Sequence, residues 1–210
     1  MIDLILVGGG GHCNSVIDSI RALCQYNIVG IIDFESTSEV NGVKIIGNDD
    51  QLKKIFDSGV NHAFITVGSI GNTSIRQRLG RELKAIGYIL PVIIDPTAIV
   101  SKTSVIGEGT FIGKGTIVNA GSNISRNCII NTGSIIEHDC LIGDYVHIAS
   151  GTVLSGSVTI GNDTHVGTNS TVIQNVNICN DVIIGAGSVV VKDILKPVVA
   201  YGNPCKEKQN

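Results

Sequence analysis

The chain has 210 residues, the length of one large domain or two modest ones, and carries a net charge of −3 from 15 basic and 18 acidic side chains. No Lys/Arg cluster is visible, which argues against a nucleic-acid partner, and no apolar run approaches the ~18 residues that a membrane-spanning helix needs. With 43% hydrophobic residues but only 4% aromatic and 16% charged, the chain is too apolar for disorder, and its Ile and Val favour strands.

In chain order, Met1 to Val7 is apolar, short and without a basic flank, so it reads as a strand and not as a signal peptide. It runs into Gly8, Gly9, Gly10, Gly11 and His12, after which a helix is expected from about Ser15 to Cys24. Ile28–Asp33 reads as a second strand, Asn48-Asp49-Asp50 as the start of a short helix, and Ala63–Val67 as a third strand ending at Gly68. Asn72 is placed to cap a helix that runs to Ile86 and stops at Gly87, and Tyr88–Ile94 is expected as a fourth strand. Alternating strands and helices define a small Rossmann-like α/β domain over residues 1–95, with Asp95-Pro96 marking the join.

From Val100 every sixth residue is aliphatic, through Ile106, Ile112, Val118 and onward to Val190, which gives sixteen hexads. Four residues after each stands a small or β-branched side chain, such as Ser104, Thr110, Cys128, Val146 or Ser188. Gly often follows the aliphatic residue, as at Gly107, Gly113, Gly143, Gly161, Gly167 and Gly185. A period of six fits neither a helix nor a long strand. It fits a parallel β-helix, in which three hexads make one coil and Gly or Asn accepts the turn dihedrals. The expected β-helix spans residues 96–194, with a C-terminal tail over 195–210. Residues 18 apart stack, so His147 and His165 form a ladder and Gly156 lies one coil above His138.

Glycines between a strand and a helix expose backbone N–H groups to a phosphate. The third Gly of a dinucleotide fingerprint is replaced by Cys13, so the pattern points to a nucleotide diphosphate and not to a redox dinucleotide. Asp33, ending the second strand, is placed to bind a ribose or base. The alternatives are a packing turn for the glycines and a solvated carboxylate for Asp33. Six scattered cysteines (Cys13, Cys24, Cys128, Cys140, Cys179, Cys205) contain no C-x-x-C pair and read as reduced thiols of a cytoplasmic protein. The sharpest chemical signal is Glu137-His138-Asp139. A His between two carboxylates can be held in one tautomer and made more basic, which suits a general base. The bland alternative, a surface His with solvated neighbours, is less attractive in a segment otherwise nearly free of charge.

The hexads over about residues 98–192 resemble the hexapeptide-repeat acyltransferases, whose β-helix is left-handed. The opening Gly-Gly-His, Glu137-His138-Asp139 and the closing Gly202-Asn203-Pro204-Cys205-Lys206 resemble one branch of them, the bacterial sugar-nucleotide N-acetyltransferases and sialic acid O-acetyltransferases. Cys205 stands where that branch often has Ala. The resemblance implies an acetyl-CoA-dependent enzyme without a metal, acting as a homotrimer with active sites between neighbouring prisms. It implies His138 as base, Asp139 as its polarising partner and the Gly156 N–H as oxyanion donor. Asn131 and Glu137 are then at the acceptor sugar, and His147 of a neighbouring subunit borders the acetyl-CoA channel. Thr168, Gly185, Ala186 and Lys206 contact pantetheine and CoA phosphates, while Gly8 to His12 and Asp33 hold the nucleotide. The expected reaction is N-acetylation of a nucleotide-linked 4-amino-4,6-dideoxyhexose for a surface polysaccharide or glycan. Sialic acid O-acetylation, a metal enzyme of the β-helix carbonic anhydrase kind and a non-catalytic nucleotide-binding trimer are the alternatives.

Overall fold

The computed structural model describes residues 1–34 and 38–208. The N-terminal unit is a five-stranded sheet, built from β1 (Ile2–Val7), β2 (Tyr26–Ile32), β3 (Glu39–Val40), β4 (Val43–Gly47) and β5 (His62–Ile65) in the order β3-β4-β2-β1-β5. All neighbours are parallel except the β3–β4 hairpin. Three helices flank it: α1 (Gly11–Leu23), the short α2 (Leu52–Asp57) and α3 (Ser74–Ile86). Asn72 Oδ1 accepts from the Ser74 N–H at 2.9 Å, and Gly87, at φ +114°, returns its N–H to Leu83 and Lys84. Both ends of α3 therefore follow the sequence signals.

Two elements differ from expectation. The hairpin β3–β4 is additional to the expected elements; its turn is Asn41-Gly42 with both residues at positive φ, the dipeptide that tight hairpin turns favour. Residues 88–94 do not form a fourth sheet strand. Ile89 touches the sheet through one isolated bridge to His62, Pro91 has no N–H to extend it, and Ile93–Ile94 already pairs with Phe111–Ile112 of the next coil.

From Ile93 the chain winds as a left-handed parallel β-helix of two-residue strands. Each strand pairs with the strands 18 residues before and after it, as in Ile117 with Ile99 and Ile135. Three flat faces result. One carries Ile99, Ile117, Ile135, Val153, Thr171 and Val189; the next carries Val105, Asn123, Leu141, Thr159 and Asn177; the third carries Phe111, Ile129, His147, His165 and Ile183. The hexad aliphatics point inward and form one core column from Ile112 to Val190, each fully buried side chain contributing about 1.5–3 kcal/mol. The small residues beside them are equally buried. Their hydroxyls are satisfied 15 residues on, as in Thr110 to the Ser125 carbonyl at 2.8 Å and Ser122 to the Glu137 carbonyl at 2.7 Å. Cys128 and Cys140 extend the same ladder with their thiols.

The glycines divide the labour differently from expectation. Turn dihedrals fall on the residue three after each aliphatic, held by Gly109, Gly121, Asn127, Asp139 or Asp163 at positive φ. Glycines directly after the aliphatic serve close stacking: a Cβ on Gly161 would lie 2.4 Å from the Asn180 backbone nitrogen. The segment after residue 194 also joins the fold. Val199–Tyr201 adds to the third face beside Ile183–Ile184, Lys206–Glu207 pairs back on it, and Ala200 closes the core. Residues 209 and 210 of the tail lie outside the described residues.

The N-terminal unit covers the lower part of the third face. Phe111 and Ile129 of that face pack into the core around α1 and β1. Asp95, buried at the join, accepts from Ser19 Oγ at 2.6 Å and from Thr97. Arg76, only 2% exposed, donates to the Val67 carbonyl and, at 2.7 Å, to the Asn127 carbonyl. Asp163 accepts from Thr73 and Gln77.

Candidate active site

His138 lies on the corner between the first and second faces, which in a three-sided prism is the corner opposite the third face and its domain. The Asp139 turn at φ +59° folds its carboxylate back, so that Asp139 Oδ2 lies 2.9 Å from His138 Nδ1. A carboxylate only accepts, so the proton sits on Nδ1 and Nε2 keeps its lone pair. His138 is flanked in its column by Ala120 below and Gly156 above, the smallest residues available. A Cβ on Gly156 would stand 2.5 Å from Nε2, so that nitrogen sits directly over the glycine. The Gly156 N–H has no acceptor among the described residues, whereas its neighbours Ser155 and Ser157 bond Val172 and His138. Among the described residues Glu137 makes no hydrogen bond to the imidazole, and Asp139 does. The result is an exposed lone-pair nitrogen, a fixed tautomer and a free N–H within one solvent-facing notch.

A second group lies beneath the N-terminal unit. His147 and His165 pair in register with ring centroids 4.9 Å apart, as their spacing predicts. His147 Nδ1 is 2.7 Å from the Ser69 carbonyl oxygen, and Nε2 is 3.4 Å from Asn131 Nδ2. His12 also belongs here and is not among the residues that line the cleft described next. Its ring packs edge-on against Phe111, 5.3 Å between centroids, and its Nε2 is buried with no hydrogen-bond partner among the described residues. Burial lowers the His12 imidazole to about 3, with Arg76 and His147 adding. Burial likewise lowers His147 to about 4, against the opposing bond to Ser69, and lowers His165. These rings are neutral in the fold and charge readily when unfolded. The unfolded state therefore binds more protons below pH ~6.5, and stability falls as pH falls from there toward the folded values. His12 and His147 should each withdraw about 2 kcal/mol by pH ~5. Thermal unfolding of wild type and His12→Phe across that range checks this, the variant losing less.

The third group is a cleft of about 330 Å³ at the C-terminal ends of β1 and β2, lined by Gly8, Gly10, Asp33, Phe34, Gly68 and Arg78 among others. Gly8, at φ +111°, is required by packing, since a Cβ there would meet Val67 at 2.5 Å. Gly9 donates its N–H to the Asp33 carboxylate, so Asp33 shapes the loop. Gly10 and Gly11 face open space, at the N-terminus of α1. The remaining predicted residues lie elsewhere again. Thr168 and Ala186 stack on the exposed corner between the third and first faces, Gly185 beside them abuts Tyr201, and Lys206 pairs with Tyr201. One chain thus brings together His138, Asp139 and Gly156, and separately His147 and Asn131. The cleft adjoins the second of these groups through Gly68 and Ser69. Sequence reasoning missed Ser69, Arg76 and the Asp163 contacts. Gly68 and Gly71, bracketing Ser69, were the available signal for a closely packed strap. Among the described residues no three His, Cys, Asp or Glu side chains converge on a metal-sized site, and no helix is long and apolar enough to cross a membrane.

A hexad-built prism with a carboxylate-held His on its corner and a Gly-rich α/β unit on its face defines a hexapeptide-repeat transferase. Residues 3–83 match the family described as PglD N-terminal domain, and residues 121–156 match bacterial transferase hexapeptide (six repeats). The chain is similar to PerB from Caulobacter crescentus, solved with CoA and GDP-perosamine, at 37% identity and a TM-score of 0.93 over 99% of this chain and 97% of that one. It is similar to the acetyltransferase domain of PglB from Neisseria gonorrhoeae at 33% identity and a TM-score of 0.93, over 99% of this chain and 100% of that one. A curated relative, UDP-N-acetylbacillosamine N-acetyltransferase of Bacillus subtilis (strain 168), is 34% identical over 110 residues, 52% of this chain. The match spans 50% of that relative's length. The chain belongs to the hexapeptide-repeat acetyltransferases of the sugar-nucleotide N-acetyltransferase and sialic acid O-acetyltransferase family.

Proposed function

We propose that the protein transfers an acetyl group from acetyl-CoA to the amine of a nucleotide-linked amino sugar, a 4-amino-4,6-dideoxyhexose, in the cytoplasm, as a step toward a surface polysaccharide or glycan. The observation that carries this is the His138–Asp139–Gly156 notch: a base, its tautomer holder and an unengaged N–H. His138 Nε2 takes a proton from the amine as its nitrogen attacks the thioester carbonyl. Asp139 stabilises the imidazolium that forms. The Gly156 N–H supports the oxyanion of the tetrahedral intermediate. Collapse breaks the C–S bond, and the departing thiolate takes the proton from the imidazolium. No covalent acyl-enzyme forms and no metal takes part.

Gly8 to His12, with Asp33 and the cleft beside them, hold the nucleotide diphosphate. Because His138 stands on the corner opposite its own N-terminal unit, a homotrimer supplies the missing pieces. A neighbouring copy presents Asn131 and His147 to the notch, with Glu137 on the acceptor side. Thr168, Gly185, Ala186 and Lys206 line the CoA path. Family members solved with CoA and GDP-perosamine, and the N-acetyltransferase names of the relatives, support an amine acceptor over the sialic acid hydroxyl. Following free thiol from acetyl-CoA with UDP-, dTDP- and GDP-linked amino sugars tests this. One nucleotide series should release CoA in proportion to acceptor. Release with none of them overturns the proposal.

A further inference from the structure

The strap that joins β5 to α3, residues 66–73, touches both the cleft and His147. Thr66 Oγ1 donates to the Gly8 carbonyl, Val67 and Gly68 line the cleft, and the Ser69 carbonyl meets His147 Nδ1 at 2.7 Å. Gly71, at φ +70°, lets the strap lie flat on the third face, since a Cβ there would be 2.3 Å from Ile183 Cδ1.

Both ends of the His147 ring report the same proton. The Ser69 carbonyl can only accept, so Nδ1 carries the hydrogen. At the far end the orientation of the Asn131 amide is settled independently, because Asn131 Oδ1 accepts the Thr132 N–H at 2.8 Å. The group facing His147 Nε2 at 3.4 Å is therefore the Asn131 amino group, which can only donate. Nε2 must be the lone-pair nitrogen. The second Asn131 N–H is then left as the polar group that this half-buried amide offers outward. His165, edge-on to His147, fixes the ring plane.

We propose that Ser69, His147 and Asn131 form an orienting relay through which the strap of the N-terminal unit sets Asn131 as a hydrogen-bond donor toward an oxygen of the bound substrate. His147 is then a positioning residue and not an acid or base. That the oxygen belongs to acetyl-CoA or the sugar rests on the acetyl-transfer reading; the proton arrangement does not.

The test is the long-range proton–nitrogen spectrum of the full-length protein labelled with ¹⁵N-histidine at neutral pH, His147 being assigned by its loss in His147→Gln. The relay predicts a single tautomer, Nδ1 protonated and Nε2 an acceptor. Gly71→Ala, which lifts the strap off Ile183, should convert that signal to a mixture of tautomers. A wild-type Nε2–H tautomer overturns the relay. So does an unchanged His147 signal in folded Gly71→Ala; if that variant does not fold, the wild-type spectrum decides alone. In turnover, Asn131→Asp replaces the donor with an acceptor and should raise KM for one substrate about tenfold with kcat less affected, while Asn131→Ser, which keeps a donor, recovers most of it. Equal KM values for wild type and Asn131→Asp overturn the donor assignment. Absence of any acetyl transfer beside the expected tautomer contradicts the functional reading and leaves the proton arrangement standing.

Discussion

His138→Ala should lower kcat about 10²–10⁴-fold and leave the assembled protein intact, the range expected when a positioned general base is removed. Both halves follow from where the residue sits. Its side chain is 60% exposed on a prism corner, bonded only to the adjacent Asp139 among the described residues, so truncation opens no cavity and strands no buried group. What is lost is the single lone pair that Asp139 keeps available on Nε2. Thiol-release kinetics, with sizing and thermal unfolding of the same preparation, read the two halves separately. A variant within about threefold of wild-type kcat would remove His138 from the chemistry. Asp139→Asn should fall between the two, because an amide can still bond Nδ1 but supplies no charge to the imidazolium.

Gly156→Val should be comparably damaging by a different route. Gly156 is not among the positive-φ positions, so the backbone accepts a side chain there without strain. The obstacle is spatial. The first carbon of the new side chain falls 2.5 Å from His138 Nε2 and 2.6 Å from Cε1, well inside contact distance. The imidazole must swing away from Asp139, and the added methyls cover the N–H beside it. Turnover should fall by 10² or more, about what removal of an oxyanion donor costs, with the melting temperature little changed. Gly156→Ala should show a smaller loss in the same direction. Full activity in Gly156→Val would place the reacting atoms elsewhere.

The prism was legible because one rule repeats. Val100 to Val190 are aliphatic at a strict period, the 18-residue stacking of His147 on His165 and of Gly156 on His138 follows from it, and the structure keeps that register throughout. The notch was legible for the same reason: Asp139 is adjacent in sequence and Gly156 is one coil away. Local rules also sufficed for α3, whose Asn72 and Gly87 signals act within a few residues. The Asn41-Gly42 hairpin obeys a rule just as local, since both residues take the positive φ of a tight turn. Where geometry depends on the two units meeting, the sequence offered nothing periodic. Ser69 and His147 are separated by 78 residues, Thr73 and Asp163 by 90, and no pattern links them. His12 is another such case: helix α1 carries its ring onto Phe111 of the prism, a contact that its place after four glycines does not signal. Arg76 is invisible for a related reason: a charged residue on a polar-looking helix reads as solvated until the second unit buries it against two carbonyls.

The central claim is that His138 moves an acetyl group from sulfur to an amine nitrogen of a nucleotide-linked sugar. The most direct measurement follows CoA thiol and acetylated product together, with wild type and His138→Ala, and then exposes the product to mild base. The account predicts one acetylated sugar for each thiol released, an amide that survives the base, and neither signal from the variant. Thiol released without acetylated sugar, or a product that base returns to the starting compound, would contradict it.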